Sequence, residues 1–329
     1  MTQAPDEYLG APTQLPYIGA AAIRDLVSMT DAIEASREGF LAASGGEVLA
    51  PLRSSICDGR VLIMPAEHKF GSGVLKVINT SKGASKAATR GLEGIVLWID
   101  ADGGDVAALL DVESLTALRT GAASGLATSL LAREGVTKLA VVGAGRQAMD
   151  QIVGVCTVRP IAEVRIFSRE HGRSLHLRDR VRAVFPEVAC RSTESVREAI
   201  GGADVLCTAT RATEPVFRSG DLFDDVHINA IGSFRPDMCE VPAETFRQAA
   251  IVVVDQLAAA LAEAGDIIQA VEARALNPNA LVEIGNLLQA PPGRSSGITI
   301  FKSVGIAAQD WSIAKLVVER AREARLLRD

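Results

Sequence analysis

The chain has 329 residues, 48% of them hydrophobic and only 4% aromatic, so a core must be built mainly from Ala, Val, Ile and Leu. Its formal net charge of −6 argues against an electrostatic nucleic-acid binder, which needs a basic face. The N-terminus carries no apolar run typical of a signal peptide, and no uncharged stretch reaches the roughly 18 residues of a membrane helix. The five cysteines are odd in number and form no CxxC pair, and a disulfide framework is not expected in a chain this large, so a reducing compartment is favoured. We expect a cytoplasmic protein without membrane or nucleic-acid partners.

The first third of the chain predicts a mostly antiparallel sheet with a flanking helix. Residues 1–15 have the composition of a polar arm, and residues 30–44 have helical spacing. Alternating runs then predict strands at 60–64, 74–79 and 94–100. The tetrad at 102–105, Asp-Gly-Gly-Asp, is typical of a hairpin turn and leads into a further strand at 106–111.

Strand and helix patterns alternate in the rest of the chain. A helix rich in small residues, capable of close packing, is predicted at 113–133. Strands are predicted at 138–142, 163–167, 188–190, 204–208, 226–231 and 250–254. Helices are predicted at 146–158, 170–184, 194–200, 241–248, 257–273 and 307–327. This alternation indicates βαβ units around a parallel sheet, so the predicted fold class is α/β.

A dinucleotide-binding turn is predicted where the first of these strands ends. The strand at 138–142 leads into the run GAGRQA at 143–148, a GxGxxA pattern that opens a helix. In this pattern Gly143 permits the tight turn, Gly145 lets the backbone approach a pyrophosphate, and Ala148 keeps the helix close to the strand. The helix N-terminus then offers free N–H groups to the phosphates. Glycines also mark ordinary turns, but this turn starts an alternating series.

The end of the second strand bears on the choice of dinucleotide. A cofactor without a 2′-phosphate is usually marked there by Asp or Glu, whereas this chain has Ser168 and Arg169. A hydroxyl and a guanidinium suit the oxygens of a 2′-phosphate, so NADP(H) is favoured. In the alternative interpretation Arg169 lies in solvent and Glu170 meets the ribose, which makes NAD(H) possible.

These features and several further stretches resemble the ornithine cyclodeaminase/μ-crystallin family. The matching stretches are LIMPA at 62–66, LKV at 75–77, TALRTGAAS at 116–124, GAGRQA at 143–148, GADV at 202–205, HINAIG at 227–232 and FKSVG at 301–305. They extend over almost the full length of the chain, and their combination in this order is specific.

The resemblance implies a fold, a set of activities and an assembly. It implies a Rossmann domain at 121–305, inserted into a smaller α+β substrate and dimerisation domain made of residues 1–120 and 306–329. The family includes cyclodeaminases, an alanine dehydrogenase type and reductases of cyclic ketimines. The small-residue helix and the antiparallel sheet also favour a homodimer, although much of that expectation comes from the resemblance.

Three cations precede the predicted Rossmann domain: Arg53, Lys76 and Arg119. From sequence alone, Lys76 fits an outward-facing strand residue as well as a site residue, and the two arginines fit structural ion pairs better. The resemblance implies instead that all three surround the carboxylate and the α-carbon of a substrate. An arginine fork gives a carboxylate about 1.5–3 kcal/mol per charged hydrogen bond and a fixed orientation. Lys76 is then the predicted acid/base, and Arg53 is counted with it among the catalytic residues.

The predicted contacts of the dinucleotide come from the turn and from stretches that match the family. They are Arg119, Thr120, Gly143, Gly145, Arg146, Gln147, Ser168, Arg169, Thr208, Ala209, Thr210, Ile231, Gly232, Ser303 and Gly305. No metal is predicted, because His68, His171, His176 and His227 lack metal-like spacing. Among the remaining candidates, His227 fits a buried structural histidine and Cys207 fits a core residue.

Two departures from the family pattern argue against cyclodeamination. In cyclodeaminases that resemble this chain, an Asp thought to activate the substrate amine stands where this chain has Phe234. A cyclodeaminase threonine is matched here by Gly94. Asp237 belongs to a Pro-Asp-x-x-Glu pattern that resembles the reductase and μ-crystallin branch, but it fits a turn or helix-cap residue as well.

The resemblance and these departures together favour NAD(P)H-dependent reduction of a small cyclic 2-imino carboxylate. Δ1-Pyrroline-2-carboxylate and Δ1-piperideine-2-carboxylate are substrates of this kind. Three alternatives stay open: an ornithine cyclodeaminase, an alanine dehydrogenase-like enzyme, and a protein that binds a dinucleotide without turnover.

Overall fold

The computed structural model describes residues 15–80, 93–101, 104–290 and 296–327. The strands and helices up to residue 131 are β1 (Tyr17–Ile18), α1 (Ala20–Leu26), α2 (Met29–Ser44), β2 (Val48–Leu49), β3 (Ser54–Ile56), β4 (Val61–His68), β5 (Gly73–Asn79), β6 (Glu93–Ile99), β7 (Val106–Asp111) and α3 (Val112–Leu131). None of the helices in these ranges combines the length and the apolar character that a membrane crossing needs.

The elements from residue 138 onward alternate as predicted. They are β8 (Lys138–Val142), α4 (Ala148–Val158), β9 (Glu163–Phe167), α5 (His171–Val184), β10 (Ala189–Ser192), α6 (Val196–Ile200), β11 (Val205–Thr208), β12 (His227–Ala230), α7 (Ala243–Gln248), β13 (Ile251–Val254), α8 (Leu257–Glu263), α9 (Gly265–Glu272), β14 (Leu281–Glu283), α10 (Ile284–Gln289), β15 (Thr299–Lys302) and α11 (Ala307–Glu323).

The first sheet is antiparallel except at one edge. Within the described ranges its strand order is β1-β7-β6-β5-β4-β2, with β3 also paired to β4 and only β1 running parallel to its neighbour. Burial alternates along β4 to β7, as expected for a sheet with one face on the core. Lys76 of β5 lies on the buried face, opposite Met64 and Val96. The outward orientation of Lys76, which sequence alone left open, is therefore wrong.

The second sheet is parallel throughout its described strands. Its order is β10-β9-β8-β11-β12-β15-β13-β14, so the chain moves outward from β8 in one direction and then returns to start again at β11. Ligands of open α/β sheets bind outside the carboxyl ends of the strands at such a reversal. The predicted α/β fold class with a Rossmann-type parallel sheet is confirmed, and the crevice lies between the ends of β8 and β11.

Helix α3 joins the two sheets by close packing on α4. A Cβ atom at Gly154 of α4 would lie 2.1 Å from the carbonyl oxygen of Gly121, and a Cβ at Gly121 would lie 2.3 Å from the carbonyl oxygen of Asp150. Only glycine allows backbones to approach this closely. The close packing predicted for the small-residue helix is confirmed.

The described structure also departs from the predictions in several elements. The helix predicted at 257–273 is two helices, because Gly265 packs against the carbonyl oxygens of Met238 and Pro236 and the backbone is extended at Ala264. Helices α1 and α10 and strands β1, β2, β3, β14 and β15 were not predicted. The predicted arm at 1–15 lies outside the described residues except for residue 15, and so do residues 102 and 103 of the hairpin turn.

The chain order of the two sheets agrees with an inserted domain. Helix α11 packs on α2 and on β4 and β5, so the last described helix returns to the first sheet after the parallel sheet is complete. The limits 1–120 with 306–329, and 121–305, stay a prediction, and α3 runs without interruption across residue 120.

Candidate active site

The predicted phosphate-binding turn adopts the backbone conformation that its glycines require. Gly143 has φ of 108°, and a Cβ atom there would lie 2.5 Å from the carbonyl oxygen of Ala209, so the turn at the end of β8 fits directly against the loop after β11. The N–H of Ala148 bonds to the carbonyl of Gly145 and begins α4. Any larger side chain at Gly143 would fill the space between this turn and the loop after β11.

The N-terminus of α4 is open to an anion. Gln147, at the cap position, makes no side-chain cap with the helix, and its Oε1 is buried without a hydrogen-bond partner among the described residues. Arg146 lies beside it, with its Nε 3.3 Å from a carboxylate oxygen of Glu113. Uncapped N–H groups and a positive dipole end attract phosphate, so these residues fit a dinucleotide pyrophosphate.

Ser168 and Arg169 follow β9 next to this turn. The N–H of Gly143 donates to the carbonyl of Phe167 over 2.9 Å, which places the residues after Phe167 beside the turn. Arg169 is exposed and makes no ion pair with another described residue, whereas Glu170 pairs with Arg173 over 2.8 Å. Among the described residues, the guanidinium of Arg169 therefore has no ion-pair partner, whereas Glu170 has one.

A buried carboxylate joins two of the three predicted substrate cations. The Nζ of Lys76 lies 2.6 Å from Oδ2 of Asp310, and the Nε of Arg119 lies 3.3 Å from Oδ1 of the same carboxylate. Asp310 is on the first turns of α11, Lys76 is on β5 and Arg119 is in α3. The pairing brings elements from both chain ends to one point.

Burial changes the chemistry of the lysine. It lowers the pKa of Lys76 to about 7, with Asp310 opposing the effect and the charges of Arg119 and Arg53 adding to it. A group with a pKa near neutrality is present in both protonation states at working pH, which suits proton transfer. Burial also lowers the pKa of Arg119, although a guanidinium stays protonated.

Arg119 is held on a second side by the loop after β15. Its Nη1 donates to Oε1 of Gln309 over 3.2 Å, and its guanidinium lies against Gly305, where a Cβ atom would be 2.3 Å from Nη1. Gly305 has φ of 78°, which only glycine adopts without strain. Gly305 therefore leaves the space that Arg119 occupies.

Arg53 reaches the same loop from the other side. Its Nη2 donates to the carbonyls of Val304 and Gly305, over 2.9 and 2.7 Å, and lies 2.8 Å from Oε2 of Glu263. Its Nη1 and Nε make no hydrogen bond with the described residues. Each of these two nitrogens can donate a charge-assisted hydrogen bond to a carboxylate.

Asp255 fixes the loop that both arginines contact. Its Oδ2 accepts hydrogen bonds from the Ser303 hydroxyl, the Val304 N–H and the Gly305 N–H, over 2.9, 2.9 and 2.7 Å. Ser303 follows β15 directly, at the carboxyl edge of the parallel sheet. Arg53 and Arg119 therefore meet the carboxyl edge of the parallel sheet at this loop, and Asp310 links Lys76 to Arg119.

The remaining predicted dinucleotide contacts divide into two groups. Those at the edge of the sheet are the last residue of β11 and the residues just after β11 and β12: Thr208, Ala209, Thr210, Ile231 and Gly232. Thr120 instead is buried within α3, where its hydroxyl donates to the carbonyl of Thr116. The structure thus places the residues at the edge of the sheet close to the turn at Gly143. Thr120 instead lies inside α3, next to Arg119 in the chain.

The structure shows the surroundings of the three residues that were compared with cyclodeaminases, Phe234, Asp237 and Gly94. Phe234 is half-buried and packs against the core. Asp237 is exposed and makes a two-bond ion pair with Arg235, over 3.0 Å for each bond, as a turn residue would. A Cβ atom at Gly94 would lie 2.1 Å from the carbonyl oxygen of Val77, so a threonine does not fit this strand as it stands.

The weaker candidates are structural residues, as predicted. His227 is buried between Thr299 and Asn229, and burial lowers its pKa to about 3, so it is neutral. Burial raises the pKa of Cys207 to about 12, which leaves no reactive thiolate. The described residues contain no group of His, Cys, Asp and Glu side chains placed to hold a metal ion.

Sequence reasoning missed four carboxylates: Asp255, Glu263, Asp310 and Glu240. A signal for one of them was present, because a buried cation requires a partner and Asp310 is one of few acids on the apolar side of the last helix. The others act through backbone N–H groups or a distant arginine, which sequence spacing does not reveal.

Comparison with known protein families gives a match over almost the whole chain. A model of the ornithine cyclodeaminase/mu-crystallin family matches residues 18–325. The chain belongs to this family. The resemblance inferred from the short sequence stretches is therefore confirmed over almost the whole chain.

Three relatives place the chain more closely within the family. It is 36% identical over 316 residues to a Δ1-pyrroline-2-carboxylate reductase of Bacillus cereus, covering 93% of this chain and 96% of the relative. It is 32% identical to the ketimine reductase mu-crystallin of Mus musculus, covering 87% and 90%. The structure of Thermococcus litoralis Δ1-pyrroline-2-carboxylate reductase in complex with NADH and L-proline superimposes with a TM-score of 0.89 at 30% identity, covering 95% and 99%.

Proposed function

We propose that the protein is a nicotinamide-dependent reductase of small cyclic 2-imino carboxylates, such as Δ1-pyrroline-2-carboxylate and Δ1-piperideine-2-carboxylate. The observation that carries the proposal is the buried group of Lys76, Arg119 and Asp310, which contacts the loop at the carboxyl edge of the parallel sheet. The similarity to reductases of such imines supports it.

The three cations have different roles in substrate binding and proton transfer. Arg119 and the free nitrogens of Arg53 bind the substrate carboxylate and fix the ring. The bound dinucleotide would supply a hydride to the imine carbon. Lys76 donates a proton from Nζ to the imine nitrogen, so the C=N bond becomes a secondary amine with one hydrogen on each atom. Asp310 holds the ammonium of Lys76 in place before the transfer.

NADP(H) is the proposed cofactor, with NAD(H) as the alternative. The exposed guanidinium of Arg169 and the hydroxyl of Ser168 support binding of a 2′-phosphate at the end of β9. The Thermococcus litoralis relative binds NADH, which supports the alternative of NAD(H). Measured affinities of this protein for NADPH and NADH distinguish the two proposals.

A homodimer is also proposed. The outer face of the first sheet is apolar and only half-buried, and its side chains include Ile63, Leu75, Val77, Ile95 and Leu97. Apolar faces of this kind mark contact surfaces. Replacing Leu97 with Glu should shift the protein from a dimer to a monomer in sedimentation experiments. A wild-type protein that sediments as a monomer would refute the proposed dimer. The free thiols of all five cysteines support a reducing, cytoplasmic location.

A steady-state panel separates this function from its rivals. The substrates are the two cyclic imines, pyruvate with ammonia, and ornithine, each with NADPH and with NADH. We expect net loss of the reduced cofactor with the imines. Faster turnover of pyruvate with ammonia indicates an amino-acid dehydrogenase, and ammonia release from ornithine without net cofactor change indicates a cyclodeaminase. Tight cofactor binding without any turnover indicates a binding protein.

A further inference from the structure

Three fully buried charged residues lie beneath the crevice and take no part in the mechanism above. They are Glu240, Asp266 and Lys302. Burying a charge is costly unless it is paired and hydrogen-bonded, so such a group calls for an explanation. All three lie close to the ends of strands at the carboxyl edge of the parallel sheet.

The carboxylate of Glu240 binds the loops after two neighbouring strands. Its Oε2 accepts hydrogen bonds from the Thr208 hydroxyl, over 2.9 Å, and from the Gly232 N–H, over 2.7 Å. Its Oε1 accepts a hydrogen bond from the Thr210 N–H over 2.6 Å. Thr208 is the last residue of β11, Thr210 lies in the loop after it, and Gly232 lies in the loop after β12. One side chain therefore ties both loops together.

The backbone of Glu240 is itself held by the other two charges. Oδ1 of Asp266 accepts from the N–H groups of Glu240 and Val241, over 2.6 and 3.0 Å. Oδ2 of Asp266 lies 2.9 Å from Nζ of Lys302, the last residue of β15. The network thus extends from β15 through α9 to the loops after β11 and β12.

The loops after β11 and β12 are tightly packed around the carboxylate of Glu240. A Cβ atom at Gly232 would lie 2.5 Å from Oε1 of Glu240 and 2.3 Å from the carbonyl oxygen of Thr210. The two loops and the carboxylate therefore leave no room for adjustment, and their positions depend on Glu240.

We propose that Glu240 is a positioning residue that fixes the two loops around the nicotinamide half of the dinucleotide. The inference rests on the proposed dinucleotide function. In a Rossmann-type sheet the adenosine half lies at the ends of β8 and β9, so the loops after β11 and β12 face the other half. A residue that holds only those loops should affect one half of the cofactor and not the other.

Glu240→Gln tests this asymmetry, because three donors point at the two oxygens and an amide NH₂ cannot accept any of them. For the tighter-bound of NADPH and NADH, we expect the Kd to rise at least tenfold and kcat to fall at least tenfold. The Kd of the matching adenosine fragment, 2′,5′-ADP or ADP, should stay within twofold of wild type. Asp237→Asn is the matched control, since it removes the same charge from an exposed position of the same loop, and all values should stay within twofold.

Thr208→Val gives a second, milder variant that removes one of the three donors. We expect a smaller loss of dinucleotide affinity, and no further loss when it is added to Glu240→Gln. Unchanged dinucleotide affinity in Glu240→Gln would overturn the inference, and so would equal loss of the dinucleotide and its adenosine fragment, which indicates general destabilisation. Since binding is measured without an imine, failure of the proposed reaction would leave this test decisive.

Discussion

The ammonium of Lys76 and the carboxylate of Asp310 are 2.6 Å apart, and their side chains are 1% and 0% exposed. The second oxygen of Asp310 faces Arg119 at 3.3 Å. One buried carboxylate thus keeps a potential proton donor next to a potential carboxylate ligand. This relationship underlies the first predictions below.

Replacing Lys76 with Ala should lower kcat for a cyclic imine by about 10²–10⁴-fold, the usual contribution of a general acid. The measurement is steady-state oxidation of NADPH. Lys69→Ala is the control, since Lys69 is a half-exposed lysine of the loop between β4 and β5 that pairs with Glu47. Near-full turnover by the Lys76 variant would exclude it as the acid.

The pH profile should report on the Lys76–Asp310 pair. The protonated lysine is the active form, so kcat/KM should decline as pH rises through about 7, the pKa to which burial lowers Lys76. Asp310 opposes that lowering, and Asp310→Asn should move the decline to lower pH. Glu319→Gln, on the exposed side of the same helix, should leave the profile in place. Ionisation of the free imine is identical in all three assays, so an unshifted Asp310→Asn profile would refute the pairing.

Gly305→Ala should disturb the substrate site through Arg119. The added Cβ would lie 2.3 Å from Nη1 of Arg119, and loss of one charged hydrogen bond of about 1.5–3 kcal/mol corresponds to roughly 10–150-fold in kcat/KM. Gly297→Ala is the matched control, because its φ of 109° imposes comparable strain while its Cβ meets only the side chain of Ala250 at 3.4 Å. Similar kcat/KM losses in both variants would mean that backbone strain, and not Arg119, is responsible.

The sequence was informative where a pattern is local. The turn at Gly143 and the strands of the parallel sheet follow from short-range periodicity, and the structure agrees with them within a few residues. Local periodicity does not identify Asp255, because its partners are far away in the chain and tertiary packing creates the contact, and it reveals Asp310 only as an acid on the apolar side of a helix, without its partners. The break at Ala264 has the same origin, since Gly265 is fixed by the distant carbonyls of Met238 and Pro236.

Arg169→Ala tests the choice of cofactor. If Arg169 binds a 2′-phosphate, the Kd of NADPH should rise at least tenfold, whereas the Kd of NADH should change less than twofold. Arg173→Ala removes an exposed arginine of α5 that pairs with Glu170, and both affinities should be retained. A wild-type protein that prefers NADH would contradict the assignment of Ser168 and Arg169.

Two glycine variants separate helix propensity from helix packing. Gly154→Ala places a Cβ 2.1 Å from the carbonyl of Gly121, and we expect it to lower the free energy of unfolding by more than ~2 kcal/mol. Gly172→Ala, in α5, meets nothing within 4 Å and should raise stability by up to about 1 kcal/mol. Denaturant titration measures both, and equal effects would contradict the close contact of α3 and α4.

Transfer of a labelled hydride tests the central claim most directly. The protein is incubated with Δ1-pyrroline-2-carboxylate and NADPH deuterated at the transferable C4 position, and the product is analysed by mass spectrometry and NMR. The account predicts proline carrying one deuterium at its α-carbon, formed in equal amount to the NADPH consumed. Consumption of neither compound, or proline without deuterium at that carbon, would contradict it.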